Sequence, residues 1–154
     1  MSTDTAVMPR PPASEILVRN PVVAVLRARH ADQYAPVISA LAEGGVRSIE
    51  LTLSTAGVFD LLPRLAGEFG ADVEVGVGTI TTTAEAERAL DCGARFLVTP
   101  VTETCIVQAA VARGIPVFPG LGDAFQGRGL RALTARAARV SSVVAEALDA
   151  RGLG

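Results

Sequence analysis

The chain has 154 residues and a formal net charge of −2, and 49% of its residues are hydrophobic. This length favours one domain with a sizeable core, and because only 4% of the residues are aromatic, we expect aliphatic side chains to fill it. The 14 basic residues are all arginines without a basic run, and no apolar run reaches the ~18 residues of a membrane span. These features argue against nucleic-acid binding and against membrane insertion.

The amino-terminal residues and the two cysteines indicate the compartment. Residues 1–14 contain three prolines and lack the apolar stretch of a signal peptide, so we expect a flexible leader. Cys92 and Cys105 share no short metal-binding or redox spacing. We therefore expect two reduced, half-buried thiols in a cytoplasmic protein.

Five short apolar runs follow the leader. They begin at residues 22, 48, 73, 95 and 116, and most are continuous in Val, Ile and Leu, which is typical of buried parallel strands. Helical stripes fill the gaps, and most of these helices are predicted to end at a glycine. The stripes lie at 34–41, 58–69, 86–90 and 106–111. Strand and helix alternating at this pitch predict right-handed βα units in an α/β protein.

Two architectures fit this pattern, a doubly wound sheet and a (β/α)8 barrel. Polar residues occur where the predicted strands end, and both architectures bind ligands there, so the two remain open. The Gly76-x-Gly78 pair lies inside a strand without a third glycine, which argues against a dinucleotide site. The strand-end residues are Arg27, Glu50, Thr52, Ser54, Thr79 and Thr99.

The strand pattern stops after Gly120. Residues 121–154 are rich in Ala, Arg, Gly and Leu, and they are predicted to form a linker followed by one helix over about 130–150. The five βα units therefore occupy 15–120. A closed eight-stranded barrel typically takes roughly 200 residues or more, so we expect an incomplete barrel of about five units plus a carboxyl-terminal helix.

Five sequence blocks carry a family resemblance: AVLRA at 24–28, GGVRSIELTL at 44–53, EVGVGTI at 74–80, ARFLVTP at 94–100 and IPVFPG at 115–120. In order and spacing they resemble the bacterial 2-keto-3-deoxy-6-phosphogluconate (KDPG) aldolases, also called 4-hydroxy-2-oxoglutarate aldolases. The resemblance implies a (β/α)8 TIM barrel, usually a homotrimer, that acts as a class I aldolase. Its implied partner is a phosphorylated sugar acid, cleaved to pyruvate and glyceraldehyde 3-phosphate, or a keto acid cleaved to pyruvate and glyoxylate, with no cofactor.

The resemblance also implies roles for four residues. Glu50 matches the glutamate that transfers protons, and Thr79 matches the threonine that holds the pyruvate part of the substrate. Arg27 matches the arginine at the anion-binding mouth. Ser54 stands where many members carry an arginine, so we expect a weaker grip on a carboxylate or phosphate.

The residues by themselves allow simpler roles. Glu50 would be costly in an apolar strand unless it is paired or lies at a functional mouth, but it could be an ordinary strand-end glutamate. Thr79 could cap the following helix, in competition with residues 81–83. Arg27 could form an ion pair with Asp32 or Glu50. His30, the single histidine, is expected in the loop after the first strand, and no neighbouring ligand spacing indicates a metal.

The chain contains no lysine. The family holds its keto substrate as a Schiff base on a lysine of a sixth strand, and a guanidinium is not an amine nucleophile. We therefore predict no meaningful aldolase activity for the chain as written. Three interpretations stay open: an aldolase fragment whose tail arose by frameshift or deletion, a non-catalytic relative that binds small anions, and an oligomer-forming relative that pairs through its open sheet edge.

Overall fold

The computed structural model of the chain describes residues 11–120. The predicted leader up to residue 10, and the predicted linker and helix of 121–154, lie outside the described residues. The elements are α1 (Glu15–Arg19), β1 (Val23–Leu26), a short 3-10 helix (Ala31–Gln33), α2 (Tyr34–Glu43), β2 (Ser48–Thr52), α3 (Val58–Phe69), β3 (Glu74–Gly78), α4 (Thr83–Asp91), β4 (Leu97–Thr99), α5 (Thr104–Ala112) and β5 (Val117–Pro119).

The five predicted strands form one parallel sheet in the order β1-β2-β3-β4-β5. Because βα crossovers are right-handed, a sheet in which each new strand is added on the same side carries all its helices on one face. A doubly wound sheet instead reverses its strand order and has helices on both faces. The sheet order therefore selects the barrel-type arrangement from the two architectures that the sequence left open.

One face of the sheet packs against the helices and forms the core. Side chains alternate between the faces of a strand, and on this face Ile49, Leu51, Val75 and Val77 are at most 1% exposed. Burial of each such side chain stabilises the fold by about 1.5–3 kcal/mol. The helices contribute the matching apolar residues, among them Ile38, Leu62, Leu65, Ala86, Ala89, Ile106 and Ala110.

Within the described residues, the opposite face of the sheet has no helices on it, and it is more polar and more exposed than the face that packs against the helices. In register across three strands it carries Val25, Glu50 and Gly76, and Val25 on the edge strand is 59% exposed. A Cβ at Gly76 would overlap the ring of Phe96, so the glycine makes room for that ring. The helix-free face is where the predicted strand-end residues come together.

The ends of the helices largely follow the sequence signals. Gly44 and Gly70 cap α2 and α3, and Gly93 and Gly114 follow α4 and α5 with positive φ, as the helix-end prediction requires. Helix α1 has no counterpart in the sequence prediction; it begins at Glu15 after the cap residue Ser14, whose side chain accepts a hydrogen bond from the Leu17 amide.

The prediction for the two cysteines is half right. Both thiols are free, and Cys92 at the end of α4 is half-buried, but Cys105 is exposed. Cys105 lies on the solvent side of α5, whose buried residues are Ile106 and Ala110. Within 11–120, no helix has the length and apolarity that crossing a membrane would need.

Candidate functional site

Glu50 lies on the helix-free face of β2 and is the middle residue of that strand. Its side chain extends over the neighbouring strand, because a Cβ at Gly78 would overlap the Glu50 carboxylate. The residue is 7% exposed. Burial raises the pKa of the Glu50 carboxyl above its usual value, and the positive charge of Arg27 lowers that pKa in part. A carboxyl whose pKa is raised toward neutrality is suited to general acid–base work.

Arg27 lies directly after β1, and its guanidinium is held by Ser54, which lies two residues after the end of β2. The Nε–H of Arg27 donates to Ser54 Oγ at 3.2 Å, and Ser54 Oγ lies 3.0 Å from Thr52 Oγ1. Both Arg27 and Ser54 are exposed at this end of the sheet. The structure therefore brings Arg27, Ser54 and Glu50 together, as the sequence predicts.

Thr79 follows β3 in a left-handed conformation with φ of 62°, and it is the only non-glycine residue of 11–120 with positive φ. A β-branched residue is rarely found in this region, and holding it there costs on the order of 1–3 kcal/mol. Thr79 directly follows Gly78, the glycine that the Glu50 carboxylate covers. Thr79 does not cap α4: Thr82 is the cap, in a capping box with Glu85.

A buried hydroxyl pair holds the loops after β1 and β2 against each other. Tyr34 Oη lies 2.6 Å from Thr55 Oγ1 and 3.2 Å from the Leu26 carbonyl oxygen. The Ala28 amide also donates to Thr55 Oγ1, at 3.1 Å. This pair fixes the backbone on both sides of Arg27. The sequence placed Tyr34 only in an apolar helical stripe, and its hydroxyl contacts were missed.

His30 and Asp32 are joined by a hydrogen bond within the loop after β1, beside the site. His30 Nδ1 accepts from the Asp32 amide, so it has no hydrogen to donate to Asp32 Oδ1, which lies 3.2 Å away. The Arg27–Asp32 ion pair that the sequence allowed does not form within the residues that the structure describes. No Arg27–Glu50 contact within ion-pair distance occurs in the described part of the chain either. No group of three His, Cys, Asp or Glu residues suited to a metal occurs among residues 11–120.

A second buried carboxylate, Glu74, lies at the other end of the helix-free face. It is 2% exposed and accepts a hydrogen bond of 2.6 Å from Ser48 Oγ of the adjacent strand. Sequence reasoning missed this pair, although a glutamate beginning a run of valines and glycines is the same kind of signal as Glu50. It lies at the amino-terminal ends of β2 and β3, away from Arg27 and Thr79.

A cavity of ≈ 290 Å³ lies at the start of α3, and none of the four predicted site residues lines it. Arg88 of α4 stands over the Phe59 ring at 4.5 Å and lies 3.7 Å from Asp60. The Arg88 guanidinium therefore already contacts the Phe59 ring and the Asp60 carboxylate. The strand-end cluster around Glu50 is therefore the better candidate site.

Comparisons with known proteins identify the family of the chain. The family described as "Aldolase: KDPG and KHG aldolase" matches residues 13–128. A probable 2-dehydro-3-deoxy-6-phosphogalactonate aldolase of Rhizobium meliloti is 31% identical over 114 residues, which cover 74% of this chain and 51% of the relative. The 2-dehydro-3-deoxy-phosphogluconate aldolase of Dickeya dadantii is 34% identical over 109 residues, covering 71% of this chain and 51% of the relative.

The solved structures give the same result. The KDPG aldolase of Legionella pneumophila, with pyruvate captured at low pH as a covalent carbinolamine intermediate, superposes with a TM-score of 0.63 at 27% identity. The match covers 78% of this chain and 55% of that one. The described residues form a TIM-barrel-type βα sheet whose polar residues gather at the strand ends. The chain belongs to the KDPG and KHG aldolase family, and it spans about half the length of the curated relatives it matches.

Proposed function

We propose that this chain binds a small 2-oxo acid such as pyruvate at the strand ends of β1, β2 and β3, and does not by itself complete the aldol cleavage of its family. The observation that carries the proposal is Glu50, a carboxyl whose pKa is raised by burial and which lies between a guanidinium and a strained threonine. Isolated buried carboxylates are costly, and those with a raised pKa in an accessible site mark acid–base function.

Each residue of the cluster has a role in this proposal. Glu50 moves protons at the carbon next to the keto group, and burial, which raises its pKa above the ordinary value, favours the protonated form from which a proton can be given back. Arg27, held by Ser54, binds the carboxylate of the 2-oxo acid. Thr79 offers its hydroxyl and backbone at the end of β3 to the same ligand.

Carbon–carbon cleavage requires an acceptor for the released electron pair. In a Schiff-base aldolase that acceptor is the protonated iminium formed on a lysine, and this chain contains no lysine. Its arginines remain protonated and cannot form an imine. The only amine is the amino terminus. Arg27, Glu50 and Thr79 therefore supply binding and proton transfer. They do not supply the electron acceptor that turnover requires.

A pyruvate titration followed by NMR on the ¹⁵N-labelled full chain tests the binding step. We expect shifts at Glu50, Thr79 and Arg27, and little response to acetate, which lacks the keto group. Glu50→Gln should weaken the pyruvate response, whereas Glu68→Gln, on the exposed side of α3, should leave it unchanged. An unshifted spectrum at saturating pyruvate would refute binding.

Borohydride trapping tests the turnover step separately. Purified chain incubated with pyruvate and borohydride should show no covalent adduct by mass spectrometry, because no lysine amine is present. A stable pyruvate adduct, or release of pyruvate from KDPG by the pure chain, would show that another group supplies the electron acceptor.

A second candidate, self-association, is favoured by one observation. Val25 on the outermost strand of the described sheet is 59% exposed on the helix-free face, and unpaired strand edges promote pairing with another chain. Light scattering coupled to size exclusion tests this. A defined oligomer that Val25→Lys dissociates, while Val37→Lys on α2 does not, would support an assembly role.

A further inference from the structure

Arg27 is held by a directed series of hydrogen bonds. Its Nε–H donates to Ser54 Oγ at 3.2 Å, the Ser54 and Thr52 hydroxyl oxygens lie 3.0 Å apart, and Thr52 donates to the Leu26 carbonyl oxygen at 3.1 Å. Thr52 has one hydrogen and uses it on Leu26, so Ser54 must donate to Thr52. The Ser54 oxygen is then the acceptor for Arg27. Each bond in the series therefore has one possible direction.

The series begins and ends on neighbouring residues at the end of β1. Leu26 is the last residue of β1 and immediately precedes Arg27, so the hydroxyls of Thr52, in β2, and of Ser54, just after it, link the guanidinium back to the backbone beside its own Cα. Such a closed loop restricts the long arginine side chain, which otherwise has several rotatable bonds. Successive hydrogen bonds in one direction also polarise and strengthen each other.

The arrangement leaves the far end of the guanidinium available. Within residues 11–120, Ser54 is the only hydrogen-bond partner of Arg27, and it engages Nε, so the donors on Nη1 and Nη2 remain for a ligand. Two parallel N–H groups of an arginine match the two oxygens of a carboxylate. Arg27 directly follows the strand pairs Val25–Glu50 and Leu26–Leu51, which places it beside β2 near Glu50, and its positive charge lowers the pKa of that carboxyl.

We propose that Ser54 is a positioning residue, which together with Thr52 orients Arg27 so that Nη1 and Nη2 form a receptor for one carboxylate beside Glu50. The identity of that carboxylate, as part of a 2-oxo acid, rests on the proposed function. The positioning itself does not, since it is a property of the ligand-free chain.

The ligand-free test is a double-mutant cycle read from the ¹³C shift of the Glu50 carboxyl during a pH titration. Arg27→Gln should raise the Glu50 pKa, because it removes the nearby positive charge. Ser54→Ala should raise it in the same direction by a smaller amount, because the guanidinium loses its orientation. In the Arg27→Gln background, Ser54→Ala should then have no further effect.

Ser54→Thr is the matched control, because it keeps the hydroxyl and should retain the original Glu50 pKa. The proposal is overturned if Ser54→Ala leaves that pKa unchanged, or if the effects of Ser54→Ala and Arg27→Gln add in full. Ser54 is exposed, so its replacement is expected to leave the fold intact, and the amide spectrum checks this.

A pyruvate titration of the same variants separates the two proposals. Ser54→Ala should weaken pyruvate binding about fivefold, the usual net effect of one lost hydrogen bond, and Ser54→Thr should bind as the original chain does. If the pKa cycle behaves as expected but no variant binds pyruvate, the positioning role stands and the proposed function falls. If Ser54→Ala binds pyruvate as tightly as Ser54→Thr, the role of Ser54 in positioning Arg27 for the ligand is overturned.

Discussion

Gly76 and Gly78 in β3 each leave room for a side chain of the helix-free face, and alanine at each position is expected to act differently. A Cβ at Gly76 would overlap the ring of Phe96, which is 1% exposed and packs edge-on against Phe118 with 5.9 Å between ring centroids. A Cβ at Gly78 would overlap the carboxylate of Glu50, the end of a flexible side chain. The Phe96 ring cannot move away from the added methyl group, whereas the Glu50 carboxylate can.

The magnitudes follow from this difference. Overpacking a well-filled site costs about 1–3 kcal/mol, so Gly76→Ala should lower the free energy of unfolding by about 2 kcal/mol. For a chain of this size that corresponds to a fall in Tm of roughly 6 °C. Gly78→Ala should cost less than about 1 kcal/mol, because the Glu50 carboxylate can rotate into solvent. Its pKa should then return toward the ordinary value, since the burial that raises it is lost.

Urea unfolding followed by circular dichroism measures the stability, and ¹³C NMR measures the Glu50 pKa. Gly67→Ala is the matched control, because Gly67 is exposed inside α3 and no atom lies within 4 Å of the added Cβ. It should stabilise the chain by about 0.5–1 kcal/mol. Equal losses of stability for the two β3 variants, or an unchanged Glu50 pKa in Gly78→Ala, would refute the placement of the carboxylate over Gly78.

Three further predictions concern single side chains. Because burial raises the pKa of Glu50, its contribution to stability is present below the ordinary pKa of 4.5 and is lost as pH rises through the raised pKa. Glu50→Gln should therefore increase the free energy of unfolding at neutral pH but not at a pH well below 4.5. An equal effect at the two pH values would contradict the raised pKa. Thr79→Gly should increase the free energy of unfolding in urea by about 1 kcal/mol, since it relieves a left-handed backbone, and a loss of stability would show that Thr79 is not strained. The hydrogen bond from the backbone N–H of Thr81 is the main cause that lowers the pKa of Glu85. Glu85→Gln should therefore destabilise the chain above pH 4.5, and the difference in stability between the variant and the original chain should vanish as pH falls through the lowered pKa. A difference in stability that persists in acid would contradict a stabilising role of the ionised Glu85 carboxylate.

The strands and the helix stripes could be predicted because they depend on local patterns. Four of the five predicted strands begin within one residue of their predicted starts, and β4 begins two residues later, at Leu97. Local pattern alone could not choose between a barrel and a doubly wound sheet, because strand order depends on which strands pair at long range. The family resemblance predicted the barrel type, and the strand order confirms it. Local pattern also does not report which side of α5 faces solvent, and for this reason Cys105 was expected to be half-buried.

The members of the candidate site could be predicted, but their contacts could not. Parallel strands bring their carboxyl ends to one edge, so Glu50, Ser54 and Arg27 were expected near each other. Whether Arg27 contacts Asp32, Glu50 or Ser54 depends on the rotamer of the arginine, and in the structure its Nε–H donates to Ser54. Thr79 was left between two roles because capping by Thr82 depends on where α4 begins, which sequence signals define poorly.

The groups of the candidate site come from three consecutive βα units, and they are held by hydrogen bonds within those units. Thr52 bonds to Leu26, and Thr55 bonds to Ala28, so the ends of β1 and β2 position each other. Nothing in this arrangement requires the strand on which the family is expected to carry its lysine. The proposed binding of a 2-oxo acid therefore does not depend on the group that accepts electrons in the family. Binding of a 2-oxo acid without Schiff-base formation is the behaviour expected of a chain that has only the first part, and the pyruvate titration and the borohydride experiment measure the two parts independently.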